Sequence, residues 1–142
     1  MIAIIFAIRF GRQNRSIKKT ELDLRLMNII VLKYDSLTST NTEAAEQARK
    51  GAAEGVCIIA REQSAGRGRQ GRAWSSKKDS GLYLSIILRP HFAPDHRPLI
   101  TLLAGIAVFE TLKGIGISAD IKWVNDIIVR DKKIAGILAE AV

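Results

Sequence analysis

The stretch Gly66-Arg67-Gly68-Arg69-Gln70-Gly71-Arg72-Ala73-Trp74-Ser75-Ser76 forces a choice between two folds. Its glycines match the G-x-G-x-x-G spacing of a dinucleotide-binding turn, and the apolar residues 56–60 before it read as a strand. That turn works only where a helix opens inside it, so that the helix N-terminus faces the pyrophosphate. Here the chain runs on through Trp74-Ser75-Ser76-Lys77-Lys78-Asp79-Ser80-Gly81, turn-formers with no helical periodicity. The dinucleotide reading is set aside, and the segment is read as a long, flexible, basic loop between two strands.

Such a loop suits an anionic small molecule. Glycine lets a ligand approach the backbone closely. Arg67, Arg69 and Arg72 offer charged forks that fit phosphate and carboxylate oxygens. Trp74 adds an apolar face for the uncharged part of a ligand. The bland alternative for the arginines is a solvated loop.

The net charge of +8 and pI near 10.0 invite a nucleic-acid reading. The charge is concentrated, however. Residues 9–33 hold seven Lys/Arg against Glu21 and Asp23, a net of +5, and residues 61–78 hold six against Glu62, again +5. The rest of the chain is slightly acidic. Nucleic-acid modules also interleave aromatics with their charges, and only Trp74 lies near this loop. The single Cys57 lies in an apolar run, which excludes an internal disulfide and suits a buried thiol in a reducing compartment. Eight apolar residues at the N-terminus are too few to span a bilayer, which needs about 20, and they lack the flanks of a signal peptide. They read as a poorly ordered extension or an extra strand.

At 142 residues, one domain is expected. Strands are predicted over residues 28–34, 56–60 and 82–88, then over 121–124, 127–130 and 134–139, with residues 131–133 turning between the last two. Thr40 and Glu43 have capping-box spacing, predicting a helix to about Lys50 that Gly51 ends. A second helix is predicted from about Asp95 to Lys113, with Leu99, Leu102, Leu103, Ile106 and Leu112 near its inner face and Gly114 and Gly116 stopping it. This order implies a mixed sheet with helices packed on it, an α+β fold.

Three segments in order, residues 66–74, Lys122-Trp123-Val124-Asn125-Asp126 and residues 133–140, resemble the catalytic domain of biotin protein ligases. Ser39-Thr40-Asn41 and Gln63 stand where that family places biotin-contacting residues. The resemblance covers residues 28–142 and implies the mixed sheet of class II aminoacyl-tRNA synthetases and biotin ligases. Residues 1–27 are then a basic extension. It implies activation of biotin with ATP and Mg²⁺ to biotinyl-5′-AMP, then transfer to a lysine of a biotin carboxyl carrier protein of acetyl-CoA carboxylase or a related carboxylase. A cytoplasmic location follows, and a homodimer is left open.

The resemblance also assigns roles. Arg67 and Arg69, with Gly66 and Gly68, would cover biotin and the adenylate phosphate, and Arg72 would assist with phosphate. Lys122 would contact both carboxylate and α-phosphate as the electrostatic catalyst; its bland reading is a strand-edge lysine. Asn125 and Asp126 would lie near the nucleotide, Asp126 holding Mg²⁺, or else only shape the turn between strands. Ser39, Thr40, Asn41 and Gln63 would hydrogen-bond the ureido ring, a role compatible with capping the helix. Lys133 and Gly136 would line the opposite wall and Trp74 a side, whereas Trp123 reads as core. His91 and His96 receive no role.

Two departures stand out: Val124 occupies a position that is usually proline, and the chain stops at Val142 where family members continue with a glycine-rich strand, more of the catalytic domain and a C-terminal β-barrel. A partial ligase is therefore expected, without the winged helix that lets some members bind DNA and without a membrane anchor. A lipoate protein ligase shares the chemistry but lacks the Gly-Arg-Gly-Arg loop.

Overall fold

The computed structural model describes residues 2–9, 28–91, 93–96 and 98–142; the side chains of residues 2–9 and the basic stretch 10–27 lie outside the described residues. Seven strands form one sheet: β1 (Ile2–Arg9), β2 (Ile30–Leu37), β3 (Val56–Gln63), β4 (Gly81–Leu88), β5 (Asp120–Lys122), β6 (Asp126–Val129) and β7 (Lys132–Ala141). Among the described residues two α-helices accompany the sheet, α1 (Thr40–Arg49) and α2 (Leu99–Gly114). The sheet order is β2-β3-β4-β1-β7-β6-β5. Only β2 and β3 pair in parallel, joined by α1; every other pairing is antiparallel, so the sheet is mixed.

Strand β1 occupies the middle of this sheet. β1 pairs with β4 on one side, Ile2 opposite Leu88, and with β7 on the other, Ile2 opposite Ala141. It thereby joins the half carrying α1 to the half carrying α2.

Alternation along β4 separates two cores. Ile87 packs under α1 with Ala44, Ala48, Val56 and Ile58, while Ile86 and Leu88 pack with α2 through Ile100, Ala104, Val108 and Leu112. The helices therefore cover opposite faces. On β7 the odd positions Ala135 and Ile137 serve the α2 core. The even positions Gly136, Leu138 and Glu140 point to the α1 face, where Leu138 and Trp74 pack against Tyr83. Small residues at 41, 44 and 48 let α1 lie close to β3 and β4.

Several local expectations need correction. The Thr40/Glu43 capping box does not form: Ser39 is the N-cap without a side-chain cap bond, and the Thr40 hydroxyl turns to Gln63 and Ser85. Glu43 instead accepts from Tyr34 and Gln47. A tertiary partner out-competed the local one. Gly51, at φ +92°, does close the helix region. The inner face of α2 is Ile100, Ala104, Val108 and Leu112, and Leu99, Leu103 and Ile106 are exposed, Leu103 by 61%. The β6–β7 turn is Arg130-Asp131, both at positive φ as a two-residue type I′ hairpin requires, rather than residues 131–133. Cys57 is buried, and burial pushes its thiol pKa up, as fits a structural thiol.

Candidate functional site

The residues 64–80 between β3 and β4 are more built than their composition suggests. Gln63 N–H donates to Ser76 O, Trp74 N–H to Gly66 O and Gly68 N–H to Arg72 O, so two limbs run antiparallel up to a short turn at Arg69–Gly71. No α-helix opens within or after it, in keeping with the rejection of the dinucleotide turn. The stem is also anchored: Ser64 and Ala65 N–H groups donate to Leu37 O and Thr38 O. At its other end Arg61 forks onto Asp79 at 2.7 and 2.6 Å and reaches Asp35 at 3.1 Å. The Asp79 hydrogen bonds hold the Arg61 guanidinium pKa above its ordinary value. The expectation of a flexible loop therefore does not extend to its hydrogen-bonded stem. Gly66 explains why: an added Cβ would lie 2.5 Å from Trp74 O and 2.8 Å from Ser76 Oγ, so only glycine lets the limbs close.

Under this stem lies a buried polar knot. Ser39, Thr40, Asn41 and Ser85 are at most 1% exposed, and Gln63 and Ser76 are buried with them. Donor and acceptor rules set the direction of most bonds. Gln63 Oε1 accepts from Thr40 N–H at 2.8 Å, and its amide donates to Ser76 Oγ at 2.7 Å. Ser76 Oγ then reaches Trp74 O at 3.3 Å. Ser85 Oγ contacts Thr40 Oγ1 at 2.8 Å and donates to Asn41 Oδ1 at 2.7 Å. Asn41 Nδ2 donates to Glu140 Oε2 at 2.6 Å. Within the knot, Ser39 Oγ is buried without a hydrogen-bond partner among the described residues.

Beside the knot opens a cavity of about 270 Å³, at the low end for a small-molecule site. Arg67, Gly68, Arg69 and Arg72 form its loop side. Trp74, Lys133, Gly136 and Leu138, with Asn125 and Asp126, complete the lining. Four cations thus line the cavity with a single carboxylate. Arg69 reaches Asn125 Oδ1 at 3.3 Å, and Asn125 is itself held by Ile137 O. Lys133 Nζ sits 5.0 Å from the Trp74 ring centroid and 2.7 Å from Asp126 Oδ1, in an ion pair whose angle does not make a hydrogen bond. An added Cβ on Gly136 would meet Lys133 at 3.1 Å, so glycine leaves this strand position open to the lysine stem.

Most of the predicted site residues converge here, and some do not. Arg67, Gly68, Arg69, Arg72, Trp74, Asn125, Asp126, Lys133 and Gly136 line the cavity. Ser39, Thr40, Asn41, Gln63 and Gly66 lie in the knot and stem behind it. Lys122 is exposed on β5, opposite Asp126 in the register, and does not line the cavity. Trp123 is 78% exposed rather than core, and its peptide bond to Val124 is cis. Sequence reading missed Ser85 and Glu140 as members. For Ser85 a signal existed, a lone hydroxyl on the inward side of an apolar strand; for Glu140 none did.

The model of the biotin/lipoate A/B protein ligase family matches residues 33–142. This chain belongs to that family. It is 40% identical to a bifunctional ligase/repressor BirA of Bacillus subtilis over 92% of the chain, and 37% identical to a biotin–[acetyl-CoA-carboxylase] ligase of Mycobacterium tuberculosis over 72%. The chain spans about 40% of the length of these two relatives. Among solved structures it is similar to the Helicobacter pylori biotin acetyl coenzyme A carboxylase synthetase with bound biotinylated ATP, at TM-score 0.72 and 31% identity. That match covers 81% of this chain and 56% of the other. The biotin protein ligase of Aquifex aeolicus in complex with biotin and ATP matches at TM-score 0.60 and 28% identity, over 77% and 50%. The family has the mixed-sheet α+β fold described above, and no described helix is long and apolar enough to cross a membrane.

Proposed function

We propose that this chain binds biotin and ATP, joins them as biotinyl-5′-AMP with release of pyrophosphate, and passes the biotinyl group to a lysine of a biotin carboxyl carrier protein, releasing AMP. The observation that carries the reading is the pairing of a cation-lined cavity with a buried polar knot on one face of the sheet, in a chain related to ligases of biotin. The knot suits a neutral, hydrogen-bonding ring, and the cavity suits two anions.

The chemistry sets the roles. A carboxylate and an α-phosphate repel each other and must be held in attack geometry. Arg67, Arg69 and Arg72 supply the opposing charge, with the loop backbone at Gly66 and Gly68 close enough to cover the ligand. Lys122 acts as the electrostatic catalyst by moving from solvent over β6 toward the junction of carboxylate and phosphate, where charge concentrates. Ser39, with Thr40, Asn41 and Gln63, holds the ureido ring. Trp74 and Gly136 wall the apolar part. Asn125 and Lys133 contact the nucleotide. The closed stem keeps water from the mixed anhydride until the acceptor lysine arrives.

Mg²⁺ fits this site in one way. Among the described residues no three His, Cys, Asp or Glu side chains cluster, and Asp126 is the single carboxylate of the cavity. Mg²⁺ is commonly held by one or two carboxylates plus substrate phosphates. Asp126 would hold it, and the ion would offset phosphate charge.

The test is a thermal shift of this chain with biotin plus ATP, lipoate plus ATP, and single-stranded RNA, followed by single-turnover pyrophosphate release. A rise with biotin plus ATP alone supports the reading. A larger rise with lipoate would reassign the substrate, and a response to RNA alone would end the ligase assignment for this chain.

A further inference from the structure

Glu140 lies outside the roles assigned above, yet it links the polar knot to the loop arginines. Its Oε2 accepts from Asn41 Nδ2 at 2.6 Å and from Arg67 NH2 at 2.9 Å. Arg67 also donates through NH1 to Thr42 Oγ1 at 2.8 Å. Asn41 is locked from behind, because its Oδ1 accepts from Ser85 on β4. One carboxylate on β7 therefore ties α1, the strand behind it and the first arginine of the loop into a single chain of hydrogen bonds. Glu140 itself lies 99 positions from Asn41 and 73 from Arg67.

The other loop arginines differ. Arg69 makes one long contact, 3.3 Å to Asn125. The Arg72 side chain has no hydrogen bond or ion pair among the described residues. Arg67 alone has its fork divided between two partners and its charge met by a carboxylate, geometry in which a guanidinium loses most of its rotamer freedom.

We propose that Glu140 is a positioning residue: it sets Arg67 across the first turn of α1 before any ligand arrives, and so holds the Gly66–Gly68 limb over the polar knot. Arg67 then serves orientation, and Arg69 and Arg72 bring the unmatched charge. The effect on biotin rests on the ligase reading; the effect on the empty loop does not.

Glu140→Gln tests this, since the amide keeps the shape and removes the charge. In the ligand-free chain, amide exchange over residues 65–74 should quicken about 3- to 10-fold while α2 is unchanged. The Kd for biotin should rise about 10-fold, with the saturated rate of adenylate formation altered by less than about threefold. On an Arg67→Ala background, Glu140→Gln should add less than about twofold, because the two act as one unit. A merely structural residue would lower stability throughout and add independently of Arg67. Should Glu140→Gln fail to fold, Arg67→Lys takes its place: a lysine keeps the charge but cannot bridge Thr42 and Glu140, and the same loop exchange should quicken. Unchanged loop exchange in the variant that folds, or additivity with Arg67→Ala, overturns the proposal. If the parent chain binds no biotin yet Glu140→Gln loosens the loop, the ligase reading falls and the role of Glu140 stands. If biotin binds and Glu140→Gln changes neither exchange nor Kd, Glu140 falls alone.

Discussion

The polar knot and the charged cavity lie side by side on the α1 face of one sheet, and they are built on opposite principles. The knot is buried and, apart from Ser39 Oγ, hydrogen-bonded throughout. The cavity is open, and its cations outnumber its carboxylates. A saturated buried network is rigid, because each member lost leaves a desolvated partner unpaired. Unmatched charge costs little in water, and gains its value when an anion enters and solvent leaves. The difference teaches how one loop can serve two ends of a ligand: its stem belongs to the knot, and its arginine tip to the cavity.

The comparison breaks first, and by most, at Lys122. In a chain active in adenylation, Lys122→Ala should slow adenylate formation by at least about 10²-fold, the scale of one donor lost from the developing charge. The biotin Michaelis constant should change much less. Because Lys122 is exposed, thermal stability should not change. Pyrophosphate release in a single turnover is the measurement, and a near-normal rate would move the catalytic role to Arg69.

Arg69→Gly comes next. Losing one charge-assisted contact worth about 1.5–3 kcal/mol should weaken retention of the adenylate. Released adenylate is then expected to label lysines indiscriminately, which mass spectrometry of a bystander protein would record. Labelling confined to the acceptor would show that the loop tip does not hold the intermediate.

Ser85→Ala inverts the pattern. Removing this hydroxyl leaves Asn41 Oδ1 without its donor, so stability should fall by about 1–3 kcal/mol in denaturant titration. The chemical step, with the cavity intact, should change little. A large rate loss at unchanged stability would place Ser85 with the reacting groups instead.

The smallest effect is acid dependence. Burial raises the Glu140 pKa, but hydrogen bonds from Arg67 and Asn41 and the Arg67 charge outweigh it, leaving the carboxyl below its ordinary value of 4.5. A depressed folded-state pKa contributes stability that is complete above the ordinary value and lost as pH falls through the folded one. Melting temperature should therefore decline below about pH 4.5, and less steeply in Glu140→Gln. The pair is over a third exposed, so screening keeps the difference small.

Much of this arrangement was legible in the chain itself, and for local reasons. Glycine–arginine alternation at residues 66–72 announces a loop for anions, because backbone freedom and charge are properties of the residues present. The strands around it, the end of α1 near Gly51 and the exclusion of a dinucleotide turn follow from periodicity and turn chemistry within a few positions.

What tertiary structure alone decided has a common cause: the deciding partner is distant in sequence. α2 is apolar nearly all round, so its pattern names no inner face, and the sheet beneath it selected Ile100, Ala104, Val108 and Leu112. Thr40 has a capping partner three residues away, yet Gln63 and Ser85 drew its hydroxyl because burial leaves no water to share. Trp123, a large apolar side chain read as core, ends on the surface. Glu140 closes the site on Asn41 across 99 residues. Spacing along the chain determines which groups are available; only the packed sheet determines which of them meet.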